Sequence, residues 1–247
     1  MSLHLPRLGV EPDAPFPPVE SALRRPDGLL AFGGDLSVPR LRKAYRHGVF
    51  PWFSEGQPIL WWSPDPRTVF ETAALHPNRR FARTLRGSDW TLRADTAFAA
   101  VVTACARAPR PGQDGTWITD AMRDAYAALH ATGIAHSVEV FDGDALVGGI
   151  YGVSIGRMFF GESMFSARTG ASKAALFGLA RQMRRWDMPL IDAQVGNPHL
   201  DSLGAASWPR ERFIASVDVL AEARAPVIGA WTGAFGEIPA AALGTPD

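Results

Sequence analysis

Three polar residues stand where strands would otherwise be apolar. Phe159-Phe160-Gly161-Glu162 ends an apolar run in a carboxylate. Pro189-Leu190-Ile191 leads straight into Asp192, with Gln194 two residues on. Residues two apart in a strand point the same way, so Asp192 and Gln194 are expected to share a face. Core packing alone would favour Val or Leu there. A carboxylate favours a nearby positive charge; an amide is no base but orients an amine or a carbonyl by hydrogen bonds. The three together suit a substrate amine or a basic side chain better than an anion. A structural role competes, because an Asp after a strand often caps the next helix and a Gln can satisfy backbone groups.

The elements that must hold these residues are legible nearby. Between the two strands lies a helix from Ser172, with Ala174, Leu176, Phe177, Leu179 and Ala180 on or near one face. Ahead of it, residues 137–141, an Asp142-Gly143 turn, 146–151 and 158–161 read as neighbouring antiparallel strands. Other helices are expected over 78–86, closed by Gly87, from Asp95 to about 106, from Thr119 to Gly133, and over about 209–223. One more, with Ser37 as N-cap, Leu41, Ala44 and Tyr45 inward and Gly48 as its stop, precedes them. Composition divides the chain. Residues 1–68 carry the Pro-rich stretch 11–18, the turn Gly33-Gly34-Asp35 and an aromatic run over 50–67, and read as a small N-terminal domain. Residues 69–247 read as a larger one, with an Ala-, Gly- and Pro-rich tail from about 226 expected to be loosely ordered. The expected class is α/β, of the α+β kind.

With 247 residues, 47% hydrophobic and 20% charged, the composition is that of an ordinary globular protein with ample core. The net charge of +0 provides no overall basic field for nucleic acid, so any polyanion must meet a local patch. The single cysteine, Cys105, excludes an internal disulfide, fits a reducing compartment, and reads as a small buried thiol. No apolar run approaches ~20 residues, and the opening MSLHLPRLGVEPDAPFPP lacks the regions of a secretory signal. A cytoplasmic protein with no membrane association is expected. The six histidines (His4, His47, His76, His130, His136, His199) form no i,i+4 pair, so no metal is expected. No Walker loop or dinucleotide fingerprint occurs. Gly152-Val153-Ser154-Ile155-Gly156 matches a hydrolase elbow, but a strand resumes after it where that motif needs a helix.

Two patterns could serve a nucleic acid. Trp52, Trp61, Trp62 and Trp117 are core residues by default, yet the run around Trp52 is interrupted by Pro51, Pro58, Pro64 and Pro66 and makes a rigid aromatic loop able to stack a base. Arg79, Arg80, Arg83 and Arg86 fall at helical spacing in a segment without acids, either a solvated face or a phosphate-facing patch.

The segments LLAFGGDLS, YRHGVFPWFSEGQPILWWSPDPR, GTWIT, AHSVEV, LVGGIYGVSIG, FFGESMFS, ASK and LIDAQV, the last followed by His199 and SLGA, strongly resemble the leucyl/phenylalanyl-tRNA–protein transferases, in order over roughly residues 16 to 220. The resemblance implies transfer of Leu or Phe, and Met less well, from aminoacyl-tRNA to the N-terminal Arg or Lys of a protein, marking it for degradation in the N-degron pathway. It implies a small N-terminal domain and a larger GNAT-like acyltransferase domain with a mixed, largely antiparallel sheet flanked by helices. It implies no cofactor, no membrane and a monomer. It places Asp192 and Gln194 at the catalytic Asp-x-Gln positions, and Asn197 where the acceptor peptide is held. Ile150, Phe159, Leu176, Leu179 and Ile191 would line the pocket for the transferred side chain, over a floor and edge of Gly161 and Glu162. Trp52 and Trp117 would pack around the terminal adenosine. Ile150 stands where a Met is familiar and Leu179 where a Phe is. Arg79, Arg80, Arg83 and Arg86 are expected to meet tRNA on electrostatic grounds. Asp192 could act as a base through Gln194, or both could only orient the amine. A GNAT-type small-molecule acyltransferase and a noncatalytic tRNA-binding module are the rival readings.

Overall fold

The computed structural model describes residues 5–108 and 116–245. Two sheets carry the chain. The smaller has four strands: β1 (Arg7–Leu8), β2 (Leu29–Gly33), β3 (Phe50–Pro51) and β4 (Leu60–Trp62), ordered β1-β2-β4-β3. Helix α1 (Val38–Arg46) joins β2 to β3. It starts at Ser37, whose hydroxyl accepts from the Arg40 amide, and stops at Gly48, which takes φ +67. Both ends are as the sequence predicts.

The larger sheet has eight strands: β5 (Arg67–Glu71), β6 (Trp90–Ala94), β7 (Ala135–Asp142), β8 (Ala145–Ile155), β9 (Met158–Ser166), β10 (Leu190–Gln194), β11 (Ala206–Trp208) and β12 (Ile238–Pro239). Their order is β11-β5-β10-β9-β8-β7-β6-β12. Every pairing is antiparallel except β9 with β10, which needs a crossover. Helix α5 (Ala171–Arg185) supplies it and covers one face together with α2 (Arg79–Arg86). Helices α3 (Phe98–Arg107) and α4 (Asp120–Ala131) cover the other. Helices α6 (Pro198–Ser202), α7 (Arg210–Leu220) and α8 (Thr232–Phe235) complete the chain. The expected α+β class is the one observed. The face under α3 and α4 merges with the small sheet: Leu30, Tyr45, Trp61, Tyr126 and Phe160 belong to one buried cluster.

Three expectations are corrected. The described part of the tail, residues 226–245, is not loose. Trp231 is 2% exposed and stacks 4.1 Å from His136, β12 pairs with β6, and Phe235, Ala240 and Leu243 are buried. Asp95 caps no helix. It takes φ 57, and its carboxylate accepts from His136 Nδ1 and from the Ser137 and Trp231 amides, which hold its pKa down against burial. Ser154 lies inside β8 ahead of a tight turn into β9, so no nucleophile elbow forms.

Candidate active site

Strand β10 does not end as a regular pleat. Its register against β5 shifts between Asp192 and Gln194, and Gln194 takes φ +61, unusual for a residue with a side chain. The two residues therefore meet through a bulge and not by sharing a pleat face. Asp192 Oδ1 accepts from the Gln194 amide at 2.9 Å, which fixes the turn.

Asp192 is fully buried, and so is its partner. Arg67, the first residue of β5, donates from Nε to Asp192 Oδ1 at 2.8 Å and from Nη2 to Oδ2 at 2.7 Å. Its Nη1 donates to the Gly48 carbonyl at 3.0 Å. The guanidinium lies between the rings of Phe50, at 4.8 Å, and Phe213, at 4.4 Å. A bidentate, ring-sandwiched arginine is a rigid mount, and both carboxylate oxygens are committed to it.

Glu162 rises from a second bulge. Tyr151 pairs with Ser163 and Gly152 with Gly161, so Glu162 has no partner residue on β8. A side chain at Gly152 would collide with the Phe160 carbonyl, so the approach of the two strands here requires glycine. The Glu162 carboxylate accepts from Tyr45 of α1 on Oε1 at 2.7 Å and from Tyr126 of α4 on Oε2 at 2.6 Å. Gln194 Nε2 donates to Oε1 at 2.9 Å. Burial drives the pKa of Glu162 up to about 7 against these donors, helped by the nearby charge of Asp192. Burial also raises both tyrosines well above their ordinary value, with the Glu162 charge adding to it.

These groups edge a pocket of about 620 Å³. Its apolar wall includes Phe70, Ile150, Met164, Leu176 and Ile191, and Gly161 and Glu162 lie at its edge. Trp52 and Trp117, both half-buried, line it as well. Trp62, tilted against Trp52 at 5.6 Å, donates to the Trp52 carbonyl, whereas Trp61 is wholly core. Asn197 lies on the rim and its Oδ1 caps α6, accepting from the His199 and Leu200 amides. Phe159 and Leu179 are not brought to the wall. They are buried behind it, Phe159 beside Trp231 at 5.8 Å. Among the described residues no group of three metal-ligating side chains converges.

Residues 69–218 match the family model for leucyl/phenylalanyl-tRNA protein transferase, and residues 34–65 match the model for that family's N-terminal domain. A leucyl/phenylalanyl-tRNA–protein transferase of Xanthomonas axonopodis pv. citri (strain 306) is 61% identical over 245 residues, covering 99% of this chain and 98% of the relative. The chain belongs to the leucyl/phenylalanyl-tRNA–protein transferases. It is thus an aminoacyltransferase that acts with aminoacyl-tRNA and a protein. The family's protein from Xylella fastidiosa (strain 9a5c) is 62% identical, covering 93% of this chain and 94% of its own. Among solved structures, a functionally unknown conserved protein of Staphylococcus epidermidis ATCC 12228 is 11% identical with a TM-score of 0.40 over 73% of this chain and 68% of its own. The structure of L-PGS from Bacillus licheniformis is 10% identical with a TM-score of 0.39, over 76% and 57%.

Sequence reading of this transferase missed Arg67, Tyr45 in its polar role, Tyr126, Phe70, Met164 and Ser172. Arg67 did carry a signal, an arginine opening an apolar strand straight after a Pro-rich loop. The basic helix lies where α2 is placed, with Arg79, Arg80, Arg83 and Arg86 exposed. Arg86 Nη1 donates to the Gly244 carbonyl. Phe81 of α2 packs on Phe177 of α5 at 5.8 Å, and the first two turns of α5 line the pocket through Ser172 and Leu176.

Proposed function

We propose that this transferase moves Leu or Phe, and Met less well, from aminoacyl-tRNA to the N-terminal Arg or Lys of proteins, acting as a cytoplasmic monomer and marking its acceptors for degradation in the N-degron pathway. The observation that carries the reading is the apolar pocket edged by Gln194 and Glu162. The transferred side chain occupies the wall of Ile150, Leu176 and Ile191. Trp52 and Trp117 pack around the terminal adenosine. The NH₂ of Asn197 donates to a carbonyl of the acceptor peptide. Arg79, Arg80 and Arg83 meet phosphates further along the tRNA.

The reaction is aminolysis of an activated ester. Positioning can supply much of the rate, up to about 7–11 kcal/mol. Gln194 donates its NH₂ to Glu162, which leaves its Oε1 to accept from the attacking amine. Asp192, saturated by Arg67 and the Gln194 amide, holds that turn in place and supports an orienting role over a base. The acceptor's preference for Arg or Lys agrees with a site whose free charge is acidic.

The test is a transfer assay with labelled Phe-tRNA and two peptides differing only in an N-terminal Arg or Ser. Label on the Arg peptide alone is expected. Transfer to both peptides would overturn the acceptor rule, and tRNA binding without transfer would leave a noncatalytic binding module.

A further inference from the structure

Tyr45, Tyr126 and Glu162 form a closed ring. Tyr45 Oη and Tyr126 Oη stand 2.6 Å apart, and each also reaches one oxygen of the Glu162 carboxylate, at 2.7 and 2.6 Å. Three short contacts must share the available protons. With Glu162 ionised there are two, one on each hydroxyl. If both point at the carboxylate, two hydroxyl oxygens face each other at 2.6 Å with no hydrogen between them. One more proton completes the ring: Glu162 donates to Tyr45, Tyr45 to Tyr126, and Tyr126 back to the second carboxyl oxygen. The buried cluster thus has a place for a single added proton, which burial favours and the two phenol donors oppose. It opens to the pocket at Glu162, and Gln194 ties it to the place where the amine is held.

We infer that Glu162 is the proton acceptor of the transfer reaction, with Tyr45 and Tyr126 as the positioning residues that hold its carboxylate and set the pH at which it takes the proton. The inference rests on the transferase reading above. The acceptor arrives as an ammonium, R–NH₃⁺. Glu162 carboxylate takes one proton, directly or through one water, leaving R–NH₂. The amine lone pair forms the C–N bond at the ester carbonyl, and the C–O bond to the ribose breaks. The ribose oxygen leaves as a hydroxyl with a second proton from that nitrogen. Protonated Glu162 then returns its proton to solvent, and the net reaction releases one.

Facing Glu162 are Tyr45 from α1, Tyr126 from α4, Gln194 and Asp192 from β10, and behind Asp192 the Arg67 guanidinium. Tyr151 of β8 packs edge-on to Tyr126 at 5.5 Å. The pKa of about 7 at Glu162 suits the task, since an α-amine ionises near 8 and the transfer is uphill by only about one unit.

The experiment is the pH dependence of kcat at saturating Phe-tRNA and N-terminal Arg peptide, for the wild-type chain and for Tyr45→Phe, Tyr126→Phe and Glu162→Gln. The wild type is expected to lose activity as pH falls through about 7. Each Tyr→Phe change removes a donor that lowers the Glu162 pKa, so the acid limb should move to higher pH. Glu162→Gln should lose about 10²–10⁴-fold of kcat at neutral pH, and the transfer that remains should follow the free amine, with its limb at about 8. Wild-type transfer with a limb that neither tyrosine moves, or Glu162→Gln within about tenfold of wild type, would overturn this inference alone. A wild type that transfers nothing would overturn the transferase reading and this one together.

Discussion

Arg67 and Asp192 meet as a bidentate pair with no solvent access to either, 125 positions apart in the chain. Breaking a buried pair leaves one charge without compensation, at a cost of about 3–5 kcal/mol. Arg67→Met is therefore expected to lower the unfolding free energy by about that much, read from urea titration. The double variant Arg67→Met, Asp192→Leu should be more stable than either single one, because no buried charge remains. A double variant as weak as the sum of both singles would contradict the pairing.

On the proposed reading the pocket wall sets side-chain preference. Ile150 is 5% exposed and lines the pocket together with Leu176 and Ile191. Ile150→Ala should enlarge the site and favour Phe over Leu. One methylene in an apolar pocket is worth about 1–3 kcal/mol, so the Phe/Leu ratio of kcat/KM should rise by roughly tenfold or more. An unchanged ratio would place the discriminating contact elsewhere.

The arginines of α2 are a question of salt. Arg79→Gln, Arg80→Gln and Arg83→Gln together should raise the KM for Phe-tRNA and flatten its dependence on salt by up to about one unit of slope per lost phosphate contact. Folding should be little changed, because all three are exposed. Arg86→Gln is a less clean test, since Arg86 also fastens the Gly244 carbonyl. An unaltered salt slope would make the helix a solvated face.

Glu162 should also shape stability. Its pKa is raised in the fold from 4.5 to about 7. A raised carboxyl pKa means the fold favours the neutral form, so its contribution is present below about 4.5 and lost as pH rises through about 7. At about 1.4 kcal/mol per unit the loss is about 3 kcal/mol. Glu162→Gln should remove that part of the pH dependence. Glu139, raised by burial, and Asp95, lowered by its partners, are common to both proteins and drop out of the comparison. Parallel stability curves for the two would show that Glu162 does not titrate in this range.

The candidate site was legible where polarity interrupts an apolar run, which is how Asp192, Gln194 and Glu162 stand out. The reason for their meeting was not. A strict two-residue period hides the bulge and the φ +61 at Gln194, because neither leaves a mark in residue type. Tyr45 was legible as an inward helix residue, but an inward tyrosine reads like an inward leucine until its hydroxyl finds a partner 117 positions away. The strands β7, β8 and β9 were found because they are adjacent and joined by short turns. β5, β6, β11 and β12 were missed because each is five residues or fewer and pairs with distant chain. The tail misled for a related reason: its composition is that of a linker, while its order comes from Trp231 on His136 and from two residues of pairing at the sheet edge.

Tyr45 belongs to the segment matched by the N-terminal family model, while Tyr126 and Glu162 belong to the segment matched by the larger one. The two parts are therefore not interchangeable modules. The larger part expressed by itself would carry Gln194, Asp192 and most of the apolar wall, yet Arg67 and one of the two phenols would be missing. Grafting a foreign N-terminal part should reproduce the wild-type acid limb only if it delivered a hydroxyl to within hydrogen-bond reach of Glu162. Separately produced halves of this chain should be silent until they reassociate, with inheritance of the two parts as a single unit the evolutionary corollary.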